Sequence, residues 1–255
     1  MTPPTAALER YRDVCGFRPS PWLPISFPHV LAAGLHLRML LSPVFPVRLP
    51  GLVHVWHEIE QNQPMPAGAA LKIESWIDGA ALSSRGAEFC LYTVVSSDTG
   101  ATWKEKTGFL ARRKGPASSP DAQAAQAAAA QPPDTAAAAD TPFSIIDRYP
   151  LAANLGRRYA RASGDYNPIH LFRITAKAFG FNAAIAHGMW SLARCASALL
   201  PEDVSKVRMA VNFKRPLMLP ATTVLEAGPA GDSRHFRLCS ADSKTTFLTG
   251  RMERI

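Results

Sequence analysis

The stretch YARASGDYNPIHLFRITAKAFGFNAAIAHGM, residues 159–189, packs an acid, an amide, a histidine and the start of a helix into one short segment. Asp165, Asn167 and His170 fall inside GDYNPIH. Gly164 frees the backbone before the acid, and Pro168 denies a helix until it has passed, so an irregular loop is expected. Loops held by a rigid scaffold are a common place for catalytic side chains. Farther on, Ala186-His187-Gly188-Met189 opens a run with apolar residues at Met189, Leu192, Ala193, Ala196, Leu199 and Leu200. This i, i+3, i+4, i+7 spacing predicts a buried helix over about 188–200. The free N–H groups at its start are suited to an anionic oxygen.

Strands follow that helix. Val207, Met209, Val211 and Phe213 alternate with Arg208, Ala210, Asn212 and Lys214, the pattern of a half-buried strand, and 222–227, 235–240 and 245–251 continue it. The first half repeats the order. Phe27-Pro28-His29 leads into Ala33, Leu37, Leu40 and Leu41 at helical spacing, stopped by Pro43 and Pro46. Strands are expected at 52–59, 71–77, 88–96 and 102–112, with a hairpin turn at Asp98-Thr99-Gly100. Strict alternation in 52–59 sends His54 and His57 to opposite faces, so a joint site there is not expected. Residues 1–24, with five prolines, read as an arm laid over the fold. His29 opens the first helix as His187 opens the second, and Pro66-Ala67 answers Pro220-Ala221. Two similar units in one chain are therefore expected. Residues 1–114 form the first unit and 143–255 the second; between them 115–142, rich in Ala and Pro with no large apolar residue, reads as a mobile linker.

Tyr159, Ser163, Gly164, Asp165, Asn167, Pro168, Ile169, His170 and Ala176 resemble the motif of the MaoC-like (R)-specific enoyl-thioester hydratases and 3-hydroxyacyl-thioester dehydratases. The match is strong over 157–220 and holds only at fold level over 20–113; Ala162 departs from the larger aliphatic residue or glycine usual there without removing a chemical group. The resemblance implies an α+β double hot dog fold, each half a long helix wrapped by an antiparallel sheet, with the hydratase motif in the second half alone. It implies a hydro-lyase of fatty acid metabolism that interconverts (R)-3-hydroxyacyl thioesters with trans-2-enoyl thioesters and water. Asp165 and His170 would be the acid–base pair, Asn167 would hold the water or the acid, and the N–H of Gly188 would receive the thioester oxygen. Arg157, Arg158, Arg161, Lys214 and Arg215 are candidates for the phosphates of coenzyme A or for an acidic acyl carrier protein. No cofactor is expected beyond coenzyme A as part of the substrate. A non-catalytic acyl-thioester binding or assembly subunit is the alternative, but binding alone needs no acid–base pair. A thioesterase on the same fold is less favoured because thioesterase hot dogs do not share GDxNPxH.

Composition limits the remaining classes. With 47% hydrophobic and 19% charged residues the chain resembles a soluble globular protein. It has no apolar run of the ~18 residues that a membrane span needs. Its start lacks a basic and an apolar leader region, so the cytoplasm is the expected location. Cys15, Cys90, Cys195 and Cys239 are scattered without a C-x-x-C pair and read as reduced, buried thiols. The spacing of Asp165, His170 and His187 matches no metal motif, and no metal is expected. The net charge is +8, and residues 143–255 hold sixteen basic against eight acidic side chains. Without a nucleic-acid-binding motif, that excess leaves an anionic thioester carrier or a solvated basic face. A homodimer is left open.

Overall fold

A computed structural model describes residues 1–47, 51–83, 86–112, 132–138 and 140–255. The first half has helices α1 (Thr5–Cys15) and α2 (Phe27–Leu40), then strands β1 (Leu52–Gln61), β2 (Leu71–Ser83), β3 (Gly86–Ser97) and β4 (Thr102–Arg112). The second has β5 (Ser144–Leu151), helices α3 (Leu155–Ser163), α4 (Arg173–Lys177) and α5 (Gly188–Leu199), then β6 (Val207–Phe213), β7 (Ala221–Ala227), β8 (Ser233–Ser240) and β9 (Thr246–Arg254). Among the described residues, nine strands join one antiparallel sheet in the order β2-β3-β4-β1-β6-β9-β8-β7-β5. The halves meet where β1 pairs with β6, so one hydrogen-bonded ladder runs through both. A row across the centre, Thr107, His57, Val211 and Gly250, shows the approximate twofold relation between them. This is the double hot dog architecture.

Helix α5 lies in the core because its apolar face is nearly complete: Leu192, Ala193, Cys195 and Ala196 are fully buried against residues such as Val211, Leu225 and Leu238. Helix α2 packs on β2 and β3. It turns Ala32 and His36 inward and leaves Leu37 and Leu41 exposed.

Three sequence expectations change. The arm 1–24 contains the helix α1, which buries Leu8, Tyr11, Val14 and Cys15 and packs along α3. Those four residues follow helical spacing; the flanking prolines obscured it. Tyr11 donates to Ser26 Oγ at 2.9 Å, and Trp190 Nε1 donates to the Val14 carbonyl at 2.8 Å, which ties this segment to both halves. The expected linker is docked at its end. Thr135 is buried, its hydroxyl 2.8 Å from that of Thr249, and Asn212 Nδ2 donates to the Pro133 carbonyl at 2.8 Å. Residues 115–131 and 139 of the expected linker lie outside the described residues. Finally, β1 carries a bulge between His54 and Trp56, opposite Phe109 and Gly108. The extra residue, Val55, resets the alternation beyond it, and the rings of His54 and His57 come within 5.4 Å. The four cysteines are free and buried.

Candidate active site

Helix α3 ends at Gly164, whose φ of +78° gives the left-handed cap that turns the chain out of the helix. The next few residues fold on local hydrogen bonds. Ser163 Oγ accepts from the N–H of Asp165 at 3.2 Å, Asp165 Oδ1 from that of Asn167 at 3.1 Å, and Asn167 Oδ1 from that of Ile169 at 3.4 Å. Asn167 thereby caps the single 3-10 turn Pro168–His170 that delivers His170 to the interior. Behind it α3 approaches closely enough that a Cβ on Gly156 would lie 1.9 Å from the His170 carbonyl oxygen.

The segment Ala184–Ala186 locks the loop from the other side. Ile185 N donates to the Ile169 carbonyl at 3.1 Å, while Ala186 N and the Ala184 carbonyl bond to Leu217 and Leu219 at 2.8 Å each. The Ile185 carbonyl faces His170 Nδ1 at 2.8 Å. A carbonyl only accepts, so Nδ1 carries the proton and Nε2 keeps its lone pair. Burial lowers the pKa of His170, partly offset by Asp165 and the Ile185 carbonyl, and favours this neutral form. His187 donates from Nε2 to the Asp165 backbone carbonyl at 3.1 Å, and its ring is 4.7 Å from that of Tyr159. Burial, and then the neighbouring His170, push the His187 pKa down to about 3. One acceptor or donor atom from each of Asp165, His170 and His187 lies within 4.8 Å of the others. Asp165 is 51% exposed, whereas both imidazoles are buried. The site thus presents a solvent-facing carboxylate beside a neutral imidazole of fixed tautomer, a pair suited to moving protons.

Gly188 is the first residue of α5, and its preceding cap residue His187 offers no side-chain acceptor to the first turn. The N–H groups there remain available to an anionic oxygen. A Cβ on Gly188 would stand 3.1 Å from the ring of Phe213, so that ring closes the back of the helix start. Nothing in the alternating pattern of β6 marked Phe213 for this place.

The five cationic candidates divide. Arg157 donates to the Leu171 carbonyl at 2.8 Å and lies over the Phe172 ring, and Arg158 pairs with Asp13 at 2.8 Å. Both brace the loop or α1. Arg161, Lys214 and Arg215 are exposed, and the last two directly follow Phe213. A charge-lined groove at Glu58, Asp134, Arg208 and Glu253 lies on the sheet face turned away from this site.

The fold and this arrangement define a double hot dog protein with Asp165, His170 and His187 gathered beside a helix start in its second half. A family described as MaoC like domain matches residues 134–245. The 3-hydroxyacyl-thioester dehydratase X of Mycobacterium tuberculosis is 30% identical over 86% of this chain and 75% of its own length. The chain belongs to the MaoC-like dehydratase family. It superposes on the crystal structure of HtdX from Mycobacterium tuberculosis with a TM-score of 0.82 and 25% identity, covering 100% of this chain and 97% of that one. A conserved hypothetical protein of the same organism, described as a double hotdog fold, is similar in fold with a TM-score of 0.60 at 11% identity, covering 99% of this chain and 92% of that one.

Proposed function

We infer that this protein is a hydro-lyase that interconverts 3-hydroxyacyl thioesters, of (R) configuration, with trans-2-enoyl thioesters and water. The observation that carries the reading is the convergence of Asp165 and His170 beside the start of α5, in a chain 30% identical to a 3-hydroxyacyl-thioester dehydratase.

In the hydration direction, the thioester oxygen sits at the Gly188 N–H, where enolate charge develops; by analogy with oxyanion holes, one such donor contributes about 3 kcal/mol to the transition state. His170 enters neutral with Nε2 free and takes a proton from water as its oxygen bonds to C3. The Asp165 carboxylate beside it orients the water and favours the imidazolium that forms. A proton passes from the pair to C2 as the enolate collapses, so the pair ends the cycle in its starting protonation state. Dehydration is the reverse. His187 positions rather than reacts: by holding the Asp165 carbonyl it fixes where the carboxylate stands. No step needs a cofactor.

Residues 143–255 carry this machinery, and 1–114 supply room for the acyl chain. Coenzyme A is the carrier that best suits a few exposed cations near the site, with Arg161, Lys214 and Arg215 facing its phosphates. Hydration of trans-2-enoyl-CoA by the wild-type chain, followed by loss of the thioester enone absorbance, with (R)- and (S)-3-hydroxyacyl-CoA compared in reverse, tests the assignment. Wild-type protein that hydrates no enoyl-CoA chain length, yet still binds the thioester, would favour a binding subunit instead.

A further inference from the structure

The first half holds a second cluster of ionisable groups that the proposed reaction does not use. Glu105 on β4 is 2% exposed, and its side chain is completely buried between β1 and α2. His29 Nδ1 lies 2.8 Å and His57 Nε2 3.2 Å from Glu105 Oε2, and His36 Nε2 lies 3.4 Å from Oε1. The second half shows that the fold does not require such a cluster. Counted from the row Thr107-His57-Val211-Gly250, its matching positions are Val211 and Leu248, both buried and apolar. A buried carboxylate surrounded by imidazoles is costly relative to well-packed aliphatic side chains.

We propose that His29, His57 and Glu105 form a binding site for a divalent transition-metal ion of the Zn2+ class in the N-terminal half. His29 Nδ1, His57 Nε2 and a Glu105 oxygen converge within 4.8 Å of one another. Tetrahedral Zn2+, with bonds of ~2.0–2.2 Å, sets its donor atoms ~3.3 Å apart, so the two short separations here need open by no more than about half an ångström. His57 Nδ1 lies 3.1 Å from the Thr107 hydroxyl, which would accept its proton when Nε2 binds a metal and so hold the ring as a ligand. A metal ion would take the place of the proton that Nε2 otherwise shares with the carboxylate 3.2 Å away. His57 Nε2 and Glu105 Oε1 are both fully buried, and neither has a hydrogen-bond partner of good geometry. His36 Nε2 is held by Thr93 Oγ1 at 2.8 Å and braces the carboxylate from the other side, so the fourth position would fall to a water molecule. Two imidazoles and one carboxylate are a donor set that suits Zn2+ rather than Ca2+ or Mg2+.

The bulge at Val55 brings His54 against His57, and the His54 ring packs on Phe213 at 4.8 Å. A metal here would therefore clamp α2, β1 and β4 behind the helix start at Gly188. Its role is structural, so binding and stability are the readouts, independent of thioester chemistry.

The full chain, stripped by dialysis against a chelator, is titrated with Zn2+ and with Co2+ alone, and metal content, the visible Co2+ spectrum and Tm are recorded. Wild-type protein is expected to take up one ion per chain, to show Co2+ bands of a four-coordinate nitrogen and oxygen site, and to gain Tm with added metal. Glu105→Gln and His29→Gln should each weaken binding at least ~10-fold and lose the Tm response. His29 is partly exposed, so its variant keeps the test decisive if Glu105→Gln does not fold. Asp165→Asn should bind metal as the wild type does. Failure of the wild-type chain to retain either ion, or loss of binding in Asp165→Asn but not in His29→Gln, would overturn the site and leave the cluster as a buried ion pair.

Discussion

His170 and His187 stack with ring centroids 3.7 Å apart and planes 26° from parallel. Two cationic imidazoles at that distance would repel strongly, and both are buried, so the neutral form is favoured for each. The stack separates two jobs in adjacent rings. His170 keeps Nε2 free, while His187 commits Nε2 to the backbone of Asp165.

Stability should fall as the medium is acidified through the range where these rings titrate. The His187 pKa is about 3 in the folded chain against an ordinary 6.5. Between those values the unfolded chain binds more protons than the folded one, so stability rises with pH across this window and is lost as pH falls through it. His36, lowered to about 4 by burial, adds to the same slope. Denaturant unfolding at a series of pH values should show a shallower acid slope for His187→Gln than for the wild type; equal slopes would refute the assignment.

Replacing either member of the acid–base pair should remove turnover without unfolding the chain. Asp165→Ala and His170→Ala are each expected to lower kcat at least ~10²-fold, since general acid–base steps are typically worth ~10²–10⁴-fold. Asn167→Ala should cost less, because its carbonyl oxygen caps a single turn at 3.4 Å. Steady-state hydration of enoyl-CoA alongside thermal melts checks this. Near-normal rates in both the Asp165 and His170 variants would show the site to be misassigned.

Gly156→Ala tests how firmly the loop is held. The added methyl would sit 1.9 Å from the His170 carbonyl oxygen, a backbone atom that cannot swing away. Helix α3 and the loop must separate, at an overpacking cost of about 1–3 kcal/mol. Both Tm and kcat should drop, whereas Gly164→Asn, at a position with open space and left-handed backbone, should change either far less. A variant at Gly156 with unaltered kcat would mean that α3 does not position His170.

Carrier recognition should appear in KM. Arg215→Ala, and to a smaller degree Lys214→Ala, should raise KM for acyl-CoA with kcat nearly unchanged, the signature of lost uniform binding. Added salt should act in the same direction. Arg157→Ala and Arg158→Ala should lower stability instead, given their partners Leu171 and Asp13. Indifference of KM to Arg215, Lys214 and ionic strength would point to a carrier protein docking elsewhere.

Much of the architecture was legible in local patterns. Apolar residues at helical spacing after His187, alternation through 207–213 and the turn at 98–100 depend on neighbours in sequence, and the corresponding elements are present at those places. The edge strand β5 and helix α1 were harder to read. The outward-facing Ile145 and Ile146 are exposed at the sheet edge, and the apolar positions of α1 are hidden between prolines.

By itself, the sequence determined which chemical groups lie in the loop 164–170, that a helix begins at Gly188, and that helix-then-strands occurs twice, because capping, proline restriction and periodicity act over a few residues. Only the tertiary structure decided which groups meet. Stacking of His170 on His187 needs α5 and the loop to be joined through Ile185, and Arg157 and Arg158 are drawn to partners that no local pattern names. The gathering of His29, His57 and Glu105 depends on three elements, and the facing of His54 and His57 on one bulged residue opposite β4. A bulge is set by pairing with another strand, so period-two counting along β1 alone assigns the two rings to opposite faces, and the sheet reverses it.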